Sequence, residues 1–66
     1  MEKKLIGERL RELRGDISRE QLAVALGVTS QAIFNYETGA RIPSDEMKVK
    51  IANYFNRTVQ EIFFSD

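Results

Sequence analysis

Ser30, Gln31, Phe34 and Asn35 fall on one side of a helical pattern over residues 29–37, and Ile33 and Tyr36 fall on the other. The two amides each carry donors and an acceptor, and they share their face with a hydroxyl and an aromatic ring. That is hydrogen-bonding chemistry, not catalysis. The sequence contains no Cys and no His, and its carboxylates are scattered. There is then no nucleophile–base pair and no metal cluster to propose, so the chain is read as a non-enzyme without metal or cofactor. Without Cys there is also no disulfide framework.

A polar helix face must be held in place by the elements behind it. Ser18 is a good N-cap, and Gln21 completes a capping box of the S-x-x-Q kind. The helix it opens carries Leu22, Ala23 and Leu26 on one face. Gly27 can end that helix in the left-handed conformation, and Thr29 can cap the next one. Helices that cross steeply need a small residue at the crossing, and Ala23 supplies it. Ile33 and Tyr36 pin the second helix from within. Residues 18–39 therefore have what a helix-turn-helix needs. A helical hairpin inside any small all-α domain has the same spacing.

The rest of the chain continues in short helices. Residues 1–14 place Ile6, Leu10 and Leu13 on one stripe, widened by Leu5, with charges of both signs elsewhere. Those charges read as a solvated face; the alternative is that Lys3 or Lys4 touches phosphate as a basic arm. Gly15 and Asp16 end this helix, and Ile17 is placed to staple onto Leu22. Residues 38–43 read as a loop, which Pro43 keeps out of helix. Ser44 caps a fourth helix, with Asp45 and Glu46 in its first turn. Its buried face is Met47, Ile51, Ala52 and Phe55 (or Tyr54), and Lys48 and Lys50 are its wet one. Asn56 can end it. Thr58 and Glu61 form another capping box, opening a fifth helix over residues 59–63.

Five short helices in 66 residues make one compact all-α domain, 1–66, with helices 2 and 3 as the helix-turn-helix. The formal net charge is zero, so any attraction to nucleic acid must be argued locally. No apolar run approaches membrane-spanning length and the charged start has no signal-peptide core, so a cytoplasmic setting is expected.

Over nearly its whole length the chain resembles the lambda-repressor-like DNA-binding domains of the Cro and phage-repressor (XRE) family. The resemblance is carried by Leu10-Arg-Glu-Leu-Arg14, Leu22-Ala-Val-Ala-Leu-Gly-Val28, Ile33-x-x-Tyr36-Glu37-x-Gly39 and Arg41-x-Pro43-Ser44. Ile51-Ala52 and the Glu61-Ile62-Phe63 ending complete it. It implies a transcriptional regulator of bacterial or phage type, most simply a repressor, whose helix 3 lies in the major groove of double-stranded DNA. Gln31 and Asn35 can each pair bidentately with adenine, Ser30 can donate or accept, and Phe34 can pack on a thymine methyl or on sugar. Phe34 could instead be a partly buried core aromatic. Phosphate contacts fall to Arg19, Thr29, Thr38, Arg41 and Lys48, with the N-termini of helices 2 and 3 offering free N–H groups. Arg19 stands where family members often carry a Gln. By the same resemblance Glu37 pairs with Arg14 and holds helix 3 in place.

The sequence also departs from many relatives in its local charge. Residues 20–40 contain no Lys or Arg, which points to modest affinity per subunit. A two-fold homodimer on a palindromic operator compensates for that, and Ile62, Phe63 and Phe64 are the candidate dimer surface. The fold could also serve as a protein-interaction module of antitoxin or coactivator-like type. No small-molecule effector site is evident.

Overall fold

The computed structural model describes residues 2–64, and every regular element among them is helical. The elements are α1 (Lys3–Arg14), α2 (Arg19–Leu26), α3 (Ser30–Thr38), α4 (Asp45–Phe55) and a short closing α5 (Gln60–Phe64). The last is wound as a π-helix.

Side-chain caps decide where these helices begin. At α2 the Ser18 hydroxyl accepts from the Gln21 N–H at 3.1 Å, and the Gln21 amide oxygen accepts from the Ser18 N–H at 3.0 Å. Thr29 caps α3 by accepting from the Ala32 N–H, and Ser44 caps α4 by accepting from the Met47 N–H. Thr58 and Glu61 exchange the same pair of bonds ahead of α5. Each cap satisfies a helix-end donor and is worth about 1 kcal/mol. The expected start of α1 at Met1 lies outside the described residues; Glu2 caps that helix, accepting from the Lys4 N–H at 2.9 Å.

The expected core forms. Ile6, Leu10, Leu22, Ala23, Leu26, Ile33, Tyr36, Ile51 and Ala52 are all buried. Leu13, Ile17, Met47 and Phe55 pack against them from the rim, and Tyr54 is exposed, so Phe55 supplies the inner aromatic of α4. Gly27 ends α2 at φ 73° and ψ 32°, a left-handed conformation that costs glycine little. Asn56 ends α4 in the same region at φ 56°.

Three expectations need correction. Thr38 closes α3 instead of opening the loop. Lys48, read as part of the wet face of α4, is buried at 8% exposure. Its ammonium is 3.3 Å from the Asp45 carboxylate and lies over the Phe63 and Phe64 rings at 5.9 and 5.5 Å. A flexible four-carbon stem lets it cover apolar surface while the charge finds a carboxylate and two ring faces. Finally, Ile62 and Phe63, expected at a dimer surface, lie in the core at 2% exposure each. The π-wound turn directs both inward and leaves Phe64 outside at 51%.

A close helix approach also appears where the sequence did not mark one. A β-carbon on Gly7 would stand 2.3 Å from the Glu37 carbonyl oxygen and 2.9 Å from that of Tyr36. The backbone of α1 therefore rests directly on the last turn of α3. Nothing larger than glycine fits there without displacement.

Candidate nucleic-acid interface

Behind α3, Ile33 and Tyr36 enter the core. In front, Gln31 and Phe34 are exposed, and Ser30 and Asn35 are half-buried. The four residues expected on one face are thus brought together. The Gln31 amide nitrogen donates to the Asn35 amide oxygen at 3.0 Å, one helical turn away. The two amides form a linked pair, with further donors and acceptors still available to a ligand.

The ends of α3 are also fixed. Thr29 spends its hydroxyl on the helix cap, and the Thr38 hydroxyl donates to the Asn35 carbonyl at 3.4 Å. The Arg41 N–H donates to the same carbonyl at 3.1 Å, which ties the following loop back onto the helix. A β-carbon on Gly39 would lie 3.3 Å from backbone atoms of Lys3 and Lys4. The exposed Lys3, Lys4 and Arg41 consequently gather at the C-terminal end of α3, where the helix dipole favours positive charge.

Beside this end lies a cluster of three charged residues. Glu37, with a side chain 3% exposed, takes Arg14 in a two-pronged pair: Arg14 Nε donates to Oε2 at 2.6 Å and Nη2 to Oε1 at 3.2 Å. Arg14 Nη1 donates to the Ile17 carbonyl at 2.8 Å. The Glu37 hydrogen bond raises the Arg14 pKa above its ordinary value, against the lowering effect of burial. The pair expected from the motif is present, and it connects α1 to α3.

Arg19 joins the same carboxylate, its Nε donating to Glu37 Oε1 at 3.1 Å. Its guanidinium carbon sits 5.1 Å from the centroid of the Phe34 ring. Neither contact was visible in the sequence, because Arg19, Phe34 and Glu37 belong to two helices whose crossing had to be known. Gly7 was missed as well. An isolated glycine within the α1 pattern, next to Ile6, was the available signal, since such a residue asks for a packing reason.

Among the described residues no group of His, Cys, Asp and Glu could hold a metal ion. No described helix is long and apolar enough to cross a membrane.

Residues 8–62 match the helix-turn-helix family model. The chain is 35% identical over 60 residues to an uncharacterized HTH-type transcriptional regulator of Archaeoglobus fulgidus, covering 88% of this chain and 84% of that protein. Its structure is similar to the restriction-modification controller protein C.AhdI of Aeromonas hydrophila. That likeness has a TM-score of 0.83 and 31% identity over 94% of this chain and 93% of the other. It is also similar to the P22 c2 repressor protein, solved in complex with synthetic operator 9T. There the TM-score is 0.88 and the identity 25%, over 94% of this chain and 97% of that one.

Proposed function

This chain belongs to the helix-turn-helix family of transcriptional regulators, which are DNA-binding proteins and not enzymes, and from that premise we propose that it is a sequence-specific repressor reading double-stranded DNA with α3. In this reading residues 1–66 act as one DNA-binding domain, and α3 enters the major groove with its Gln31–Asn35 side forward. The observation that carries it is the linked amide pair on a helix anchored from behind by Ile33, Tyr36 and the Arg14–Glu37 bridge. A rigid polar face of this width suits base edges, where an amide pairs with adenine through one donor and one acceptor. Ser30 supports it from the helix start. The two similar structures, a restriction-modification controller and a repressor on its operator, lend the reading weight.

Phosphate contacts fall to Arg19 and Arg41 at the edges of that face, with Thr29 and Thr38 at the ends of α3 and Lys3 and Lys4 close by. Lys48 is set aside, because its ammonium is occupied by Asp45 and two aromatic rings. The formal charge is zero, so one copy holds DNA weakly and a two-fold dimer supplies the rest. Phe64 is the apolar side chain available to such a contact near the end of the chain. DNA as the ligand calls for a cytoplasmic setting.

The test is binding-site selection from random duplex DNA, followed by fluorescence anisotropy at two salt concentrations. The expected result is an enriched palindrome with half-sites about 10 bp apart. Weak binding to every duplex, with a steep salt dependence and no enrichment, would overturn the reading.

A further inference from the structure

Phe34 is a polar-face aromatic whose ring already has a partner. Arg19 reaches it from α2, with its guanidinium carbon 5.1 Å from the ring centroid, while its Nε donates to Glu37 at 3.1 Å. Phe34 and Glu37 are three residues apart on α3 and so share a side of that helix. They hold one guanidinium between a ring face and a carboxylate.

The charges in this cluster do not cancel. Glu37 carries one negative charge and accepts from two guanidinium groups, those of Arg14 and Arg19. The Glu20 carboxylate also acts on Arg14 through space, and within these three hydrogen-bonded side chains one unit of positive charge is left over. Exposure decides where it emerges: the Arg14 side chain is 10% exposed and that of Arg19 is 38%. Nε of Arg19 is used, and its Nη1 and Nη2 make no hydrogen bond among the described residues. That free edge is a planar fork of N–H donors, the geometry that matches two oxygens of a phosphate.

We infer that Phe34 and Glu37 form a seat that pre-orients Arg19 for a DNA backbone phosphate, so that Phe34 sets affinity through Arg19 and does not read a base. This rests on the DNA-binding reading above. Phe34 is then a positioning residue. Holding a long side chain in its bound conformation before the ligand arrives lowers the ordering cost of binding, and the gain is the same for every sequence.

The experiment measures binding of the whole chain to its selected operator and to a scrambled duplex, across a salt series. The parent is compared with Phe34→Leu, Phe34→Tyr, Arg19→Gln and the double variant Arg19→Gln/Phe34→Leu. Phe34→Leu should weaken both duplexes by the same factor, about threefold to tenfold. Arg19→Gln should lower the slope of log affinity against log salt by about 0.9, the loss of one phosphate contact. Phe34→Leu should lower it in the same direction, and Phe34→Tyr should restore both affinity and slope. The double variant should be no weaker than Arg19→Gln alone. Thermal unfolding of each variant shows that the fold is retained. A changed base preference at one operator position in Phe34→Leu, or losses that multiply in the double variant, would overturn the seat while leaving DNA binding intact. Failure of the parent to bind any duplex would overturn the DNA-binding reading, and the seat with it.

Discussion

Nε of Arg14 donates to Oε2 of Glu37 at 2.6 Å, and this bond joins the last turn of α1 to the last turn of α3. Around it, Glu37 also accepts from Arg19, and its own backbone carbonyl lies against Gly7. The last turn of α3 is therefore gripped from two helices. Its position is set by packing as much as by its own hydrogen bonds.

Arg14→Ala should remove a two-pronged partner from a nearly buried carboxylate. Arg19 remains bonded to Glu37, so the loss should fall near the lower end for broken buried pairs, about 3 kcal/mol. Thermal unfolding should shift down by more than about 10 °C, while the folded variant keeps its sequence preference. An unshifted melt would remove the structural role of the pair.

Gly7→Ala should be costly although alanine is the better helix former. Its β-carbon would overlap the Glu37 carbonyl, so α1 must lift off α3. Overpacking of this kind costs about 1–3 kcal/mol or more. Denaturant unfolding checks it. A rise in the midpoint, as helix propensity alone would give, would show that the helices can separate freely.

Gln31→Ala and Asn35→Ala should each relax the operator preference, by about 1–3 kcal/mol of discrimination per lost base contact. Their side chains share a hydrogen bond, so the two losses should not add. A double-mutant cycle on the selected operator measures that coupling. Independent effects would mean that the amides separate when DNA arrives.

Arg41→Ala should weaken binding to all sequences alike and flatten the salt dependence by about 0.9 in slope. Lys48→Met should do neither, since the buried ammonium is already paired. Its readout is stability. A salt slope altered by Lys48→Met would return that residue to the phosphate contacts.

The Glu61 carboxylate accepts the Thr58 backbone N–H, and that bond holds its pKa below the ordinary value. A depressed carboxylate pKa means that the cap helps at neutral pH and is lost as pH falls through the lowered value. Amide exchange in α5 should therefore accelerate selectively in acid, and Glu61→Gln should abolish most of that pH dependence. Equal acid sensitivity in the variant would place the effect elsewhere.

By itself the sequence determined the elements and their faces. Ser18 with Gln21, Thr29, Ser44, and Thr58 with Glu61 are capping signals readable within a few residues, and each is made as expected. The turn at Gly27 and the inward Ile33 and Tyr36 are equally local, since φ preference and helical period need no knowledge of the rest of the chain. The Arg14–Glu37 bridge was legible only through the family motif, and the geometry bears it out. Tertiary structure alone decided what happens where helices meet. It placed Gly7 against Glu37, drew Arg19 onto Phe34, folded Lys48 under two rings and turned Ile62 and Phe63 inward. The reason is physical. A cap or a period is a property of one segment, whereas the partner of a long side chain, or the clearance over a glycine, depends on the crossing of two helices that distant residues set.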